Sequence, residues 1–237
     1  MNNLLCIETS GDICSVCISQ NGHSVAEQST HTPKSHAAQL CTLISQSLVL
    51  AQLTIRDLDG VVYSAGPGSY SGLRIGLSAA KGICYGSRIP LIAVNTLQAL
   101  AHYAQFLAKK DKLSANNLET NNVVYVATID ARKEIYFATY DAKLNPIDPP
   151  QPAQLTSHTF EHLSDQHKIF FGSALVTKQD LLPTYNATYI PPERCYHSAT
   201  HLAQIGYNLY CQRQFEDLAY AEPQYLKIAT YNQIHNF

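Results

Sequence analysis

The sequence predicts an α/β protein of two lobes, each a mixed β-sheet flanked by helices. Three observations predict it. The first 110 residues alternate between strand and helix periodicities in an order that opens with three strands. A polar, aperiodic stretch, Asp111 to Asn122, then interrupts the pattern, and a β-hairpin pattern begins anew at Val123. Finally, 46% of the 237 residues are hydrophobic, enough core for one large domain or two modest ones.

In chain order, Leu4 to Glu8 is a short apolar strand candidate and Ile13 to Ser19 a second. Asn21-Gly22 is the strongest two-residue hairpin signal, with residues 23 to 30 as the returning strand. Ala37, Leu40, Cys41, Ile44 and Leu48 then recur at i, i+3, i+4, i+7 and i+11, an amphipathic helix from Ser35 to about Leu53. Thr54 to Asp57 reads as a capped turn, Gly60 to Ala65 as a buried strand, and Gly66 to Gly72 as a glycine-rich loop. Leu73 to Tyr85 is a second helix, Leu91 to Val94 a strand and Thr96 to Lys110 a third helix. Three antiparallel strands followed by helix, strand, helix, strand, helix is the order of a ribonuclease H-like half-domain, the building block of the actin-like ATPase fold.

Beyond the linker, Val123 to Asp130 and Glu134 to Tyr140 alternate like a hairpin joined by Ala131-Arg132-Lys133. Pro146, Pro149, Pro150 and Pro152 forbid regular helix or sheet for several residues. Helices near 157 to 164 and 174 to 182, a strand Lys168 to Phe171, and a helix from about Ser198 to Arg213 complete the expectation. The expected division is an N-terminal ribonuclease H-like lobe at 1–110 and a smaller α/β lobe at 111–221. A tail at 222–237 would return to the first lobe.

Charge narrows the functional classes. Charged residues are 14%, against about 25% in an ordinary domain. The 16 basic and 18 acidic residues give a net charge of -2, without the field of a free-standing nucleic-acid binder. A surface so poor in charge points to a covering partner or an oligomer. The N-terminus has no basic leader before Glu8, no stretch reaches the roughly 18 apolar residues of a membrane span, and seven scattered cysteines suggest no disulfide framework. A reduced, cytoplasmic protein is expected.

Gly66 to Gly76 holds four glycines between a strand and a helix, a pattern that fits an anion cradle of backbone N–H groups or simply a tight turn. No Lys-Ser/Thr pair follows, and the third glycine is misplaced for a dinucleotide fingerprint. Gly72, Gly76 and Ala80, with Ala79 beside them, form a small-residue stripe rimmed by Ile75, Leu77 and Ile83. Glycine costs a helix about 1 kcal/mol relative to alanine, so another backbone must come close. That backbone belongs to the chain's own core or to a partner helix, and the low charge favours the partner. Cys14 and Cys17 have zinc-knuckle spacing, but three residues apart in a strand they point to opposite faces. His158-Thr-Phe-Glu-His162 matches an inverted zinc-peptidase pattern without a third ligand, and His197 and His201 stand four apart. Glu8 ends the first strand, where an actin-like ATPase holds metal-bound phosphate through an Asp; Thr9-Ser10-Gly11-Asp12 lacks the usual phosphate turn.

Leu5-Cys6-Ile7-Glu8-Thr9-Ser10, Gly66-Pro67-Gly68-Ser69-Tyr70-Ser71-Gly72-Leu73-Arg74-Ile75-Gly76, Asp130-Ala131-Arg132 and Pro223-Gln224-Tyr225-Leu226-Lys227 occur in that order. Together they resemble the bacterial TsaB (YeaZ) family, with Tyr70 and Ser71 where Phe and Thr are usual. The resemblance implies an actin-like two-lobed fold without its own catalysis. It implies a partner subunit in forming N6-threonylcarbamoyladenosine at position 37 of ANN-decoding tRNAs, supporting a homologous catalytic TsaD-like transferase alongside a TsaE-like ATPase. ATP, threonine, bicarbonate and metal would be used by the pathway or the partners, none by this chain alone. His31 and His36 lack the spacing of the catalytic sister's metal-binding pair. Family members form homodimers through the first two helices, which maps partner binding onto Ala37, Leu40, Cys41, Ile44, Leu48, Gly72, Ile75, Gly76, Ala79, Ala80 and Ile83. Two readings of other classes stand beside it: a glycoprotease-like metallopeptidase, from the histidine pattern, and a kinase-like phosphotransferase, from fold alone.

Overall fold

A computed structural model describes residues 1–111, 122–156 and 158–226. The strands among them form two five-stranded mixed sheets with the same topology. The first comprises β1 (Asn3–Glu8), β2 (Cys14–Gln20), β3 (His23–Thr30), β4 (Gly60–Gly66) and β5 (Leu91–Asn95), in the order β3-β2-β1-β4-β5. β1 to β3 pair antiparallel, and β4 and β5 join in parallel. The second comprises β6 (Val123–Ala131), β7 (Glu134–Tyr140), β8 (Pro146–Ala153), β9 (His167–Gly172) and β10 (Ala187–Tyr189). Its order, β10-β9-β6-β7-β8, repeats the first: an antiparallel meander on one side of the leading strand and two parallel strands on the other. This duplicated ribonuclease H-like topology is the actin-like fold. The repeat escapes the sequence because it resides in strand order, not in residue identity.

Alternation explains how the first sheet carries helices on both faces. Leu5, Ile7, Val16, Ile18, Val61 and Tyr63 face α1 (His36–Leu50) and α2 (Tyr70–Ser87). Their neighbours Leu4, Cys6, Cys17 and Val62 face α5 (Thr200–Cys211). Cys14 and Cys17 fall on opposite faces, as strand geometry requires. Helix α3 (Thr96–Lys110) starts at Asn95, whose Oδ1 accepts from the N–H groups of Leu97 and Gln98 at 3.0 and 3.2 Å. Its buried residues, Leu100, Ala104 and Leu107 among them, join the core of the second sheet. The chain thus sends α3 to one sheet and later returns α5 to the other.

Several boundaries differ from the sequence expectation for local reasons. α1 stops at Leu50 because Gln52 adopts a left-handed conformation and the Leu53 N–H turns back to the Leu48 carbonyl. α2 starts three residues earlier than expected because Ser69 caps it. The proline-rich segment forms a strand after all, β8, since an edge strand needs only one side of its backbone for pairing. The helix expected near 157–164 shrinks to a 3-10 turn at Glu161–Leu163, and that near 174–182 to α4 (Ala174–Lys178) with a 3-10 turn at Gln179–Leu181. Most of the expected linker, residues 112–121, and Lys227 of the tail motif lie outside the described residues. Among the described residues, no helix is long and apolar enough to cross a membrane.

Candidate functional site

The glycine-rich loop after β4 is a joint between three chain segments. Ser69 donates its N–H to the Ser10 carbonyl at 2.7 Å, and its Oγ accepts from the Gly72 N–H at 3.3 Å. Two of the amides an anion cradle would need are therefore already engaged. A Cβ on Gly68 would stand 2.5 Å from the Ser10 carbonyl oxygen, and one on Gly66, which has φ +114°, 2.6 Å from the Gln224 carbonyl oxygen. The loop is a tight turn shaped to receive the end of β1 on one side and the tail on the other.

That joint corrects the reading of the small-residue stripe. Side chains added at Gly72 or Gly76 would collide with Thr9, at its carbonyl oxygen and its Oγ1 respectively. The close neighbour is the chain's own Thr9, which follows β1. Gly72, Gly76 and Ala80 are buried, as are Leu40, Ile44 and Leu48 of α1, and none of the six is open to a partner. Ala37 and Cys41 are exposed, and Ile75, Ala79 and Ile83 half-buried. Exposed neighbours on the same two helices were absent from the expectation: Val49 is 73% exposed, Tyr85 81%, and Gly82 has nothing within 4 Å of an added Cβ. Their signal was available, because an exposed helical glycine has no core to satisfy.

The tail closes over the loop. Gln224 donates its N–H to the Ala65 carbonyl at 2.7 Å, and its Oε1 accepts from Asn95 Nδ2 at 3.0 Å. The Tyr70 and Tyr225 rings stack at 4.9 Å, the Arg74 guanidinium lies 4.2 Å from the Tyr70 ring centre, and Arg74 Nε donates to Tyr225 Oη at 2.9 Å. That hydrogen bond raises the Arg74 pKa. Ser71 stays exposed on the same rim.

At the end of β1 the polar groups turn inward. Glu8 is 2% exposed, and its Oε1 accepts from the Ser10 N–H at 2.6 Å. Ser10 Oγ lies 2.7 Å from His197 Nδ1, and His36 Nε2 lies 3.1 Å from the Gly11 carbonyl. Burial lowers the His197 pKa against the opposing pull of Glu8 and Asp12. In the second lobe, Asp130 pairs with Lys178 and accepts from Thr177 Oγ1 at 2.5 Å and from the Arg132 N–H at 2.8 Å. Burial alone would raise its pKa, but the hydrogen bonds from Lys178, Thr177 and Arg132 outweigh it, and the net shift is downward.

The metallopeptidase pattern does not assemble. His158 turns to Glu161, whereas His162 Nε2 reaches Asp148 Oδ2 at 2.9 Å. His197 serves Ser10, and His201 stacks on Tyr103 at 3.8 Å. Among the described residues, no group of three or more His, Cys, Asp or Glu side chains is placed to hold a metal.

With this geometry in place, the relatives are informative. Residues 23–145 match the family described as TsaD, tRNA N6-adenosine threonylcarbamoyltransferase. The tRNA threonylcarbamoyladenosine biosynthesis protein TsaB of Escherichia coli (strain K12) is 30% identical over 145 residues, 61% of this chain and 57% of that protein. The tRNA N6-adenosine threonylcarbamoyltransferase of Desulfitobacterium hafniense (strain Y51) is 34% identical over 121 residues, 44% of this chain and 35% of that one. The chain thus spans little more than half the length of the curated TsaB relative. A crystal structure of an uncharacterized Pseudomonas aeruginosa protein, described as similar to peptidase YEAZ, shares the fold with TM-score 0.78 at 20% identity, covering 96% of this chain and 100% of that one. The chain belongs to the threonylcarbamoyltransferase family and, within it, to the TsaB (YeaZ) group.

Proposed function

We propose that this chain is a non-catalytic partner subunit in the formation of N6-threonylcarbamoyladenosine at position 37 of ANN-decoding tRNAs. It docks on a homologous TsaD-like transferase in the cytoplasm, with a TsaE-like ATPase completing the assembly, and pairs with a second copy when the transferase is absent. The observation that carries the supporting role is where the acidic groups of the two lobes point. Glu8 is buried against the Ser10 N–H and Asp130 is held by Lys178, so each carboxylate serves the chain's own fold. The docking face we assign is the outer side of α1 and α2: Ala37, Cys41 and Val49 with Ala79, Gly82 and Tyr85. Exposed small and apolar groups between helices favour close helix packing against a partner.

Co-purification with the transferase from the same cell, followed by tRNA modification with and without this chain, tests the role. Modification that proceeds at the same rate without the chain overturns it. Gly82→Arg tests the face: the isolated chain should stay folded and the complex should be lost, whereas a complex of native affinity places the interface elsewhere.

A further inference from the structure

A groove of about 530 Å³ opens on the side of the molecule served by α3, α5 and the turn between β2 and β3. Its volume lies within the usual range of small-ligand sites. Phe106 stands on its wall with 55% of its surface exposed and takes no part in the packed core. Burying such a ring stabilises a fold, so a phenylalanine that stacks on Tyr103 and is still 55% exposed beside a ready hollow leaves apolar ring surface for a ligand to cover. Tyr103 backs it at 6.0 Å between ring centres and is itself fixed by stacking on His201. Lys109, one helical turn from Phe106, is exposed, with Nζ donating to Gln105 Oε1 at 2.9 Å. His23 and His102 supply further polar edges, and no Asp or Glu lines the groove. In a chain of net charge -2, a hollow lined by lysine, imidazole and aromatic rings without a carboxylate is a local departure towards anions. Burial and the nearby Lys109 charge lower the His102 pKa, so its imidazole is neutral at pH 7 and acts as a hydrogen-bonding edge, not as a cation.

We propose that this groove takes one unpaired nucleotide of an RNA strand, its base stacked on Phe106 and its phosphate on Lys109. Base–aromatic stacking with a flanking cation is the general means of holding a single strand. A shallow hollow with only one lysine fits a single nucleotide of a strand whose main hold lies elsewhere. The choice of RNA over another planar anion rests on the tRNA-modifying role proposed above.

The test uses the full chain, alone and in complex with the transferase, and a fluorescently labelled single-stranded oligoribonucleotide compared with a blunt duplex of the same length. Preference for the single strand is expected. Phe106→Ala should weaken it about tenfold, and Lys109→Ala should lower the salt slope by about 0.7. Thermal denaturation of both variants, which lie on the surface, confirms that they remain folded. Native affinity in both variants overturns the proposal, as does equal binding of the duplex. So does binding of adenosine monophosphate alone without the strand, which would make this a metabolite site. Complex formation with the transferase is read on the same preparations. An intact complex with unaltered RNA binding refutes the groove alone, whereas a wild-type chain that forms no complex refutes the subunit role.

Discussion

Ser10 Oγ meets His197 Nδ1 at 2.7 Å inside the protein, joining the end of β1 to the segment before α5 across 187 residues of sequence. Both residues are buried, and His197 Nε2 has no hydrogen-bond partner among the described residues. Among the described residues, the serine hydroxyl is the side chain to which this imidazole hydrogen-bonds.

Removing that anchor should cost stability. Ser10→Ala leaves a buried imidazole without its Nδ1 partner, and a loss of about 1–3 kcal/mol is expected from equilibrium denaturation. Ser10→Thr, which keeps the hydroxyl, should retain more of the stability than alanine does.

The buried histidines also set an acid limit. Burial lowers the pKa of His197, and burial with the neighbouring His197 lowers that of His201 from 6.5 to about 3. The unfolded chain binds these protons near pH 6.5 and the folded chain does not, so stability is fully present above 6.5. His201 loses its share as pH falls from 6.5 towards about 3, by about 1.4 kcal/mol per pH unit, and His197 contributes in the same direction. His201→Phe keeps a ring against Tyr103 and should flatten the slope of unfolding free energy between pH 6 and 4. An unchanged slope would place the proton uptake elsewhere.

Two glycines on one helix should respond in opposite directions. Gly76→Ala drives a methyl group into Thr9 Oγ1 and should destabilise by about 1–3 kcal/mol. Gly82→Ala meets nothing within 4 Å and should stabilise the isolated chain by about 1 kcal/mol through helix propensity. If Gly82 lies in the interface, the same alanine should weaken the complex; paired denaturation and affinity measurements separate the effects.

Limited proteolysis tests the tail clasp. Arg74 holds Tyr225 through a hydrogen bond and shares the stack with Tyr70. Tyr225→Ala should accelerate cleavage within 222–226 in limited proteolysis followed by mass spectrometry, with the rest of the chain cut at its native rate.

The sequence by itself determined the strands and helices of the first sheet and the hairpin that opens the second. Continuous apolar runs such as Leu4 to Ile7 mark strands buried on both faces, the 3.6-residue repeats of α1 and α3 state which helix faces are apolar, and burial of those surfaces leaves few arrangements. It also determined that Gly72 and Gly76 need a close neighbour, because a helix bears such glycines only where a side chain would not fit. Which neighbour it is could not be read locally: glycine registers proximity, and Thr9 comes near only after β1 and β4 have paired. The same holds for His197 beside Ser10, for Asp130 beside Lys178 and for the pairing of β8 despite its prolines. Each depends on segments far apart in sequence, and tertiary packing alone decides which backbones and side chains share a space.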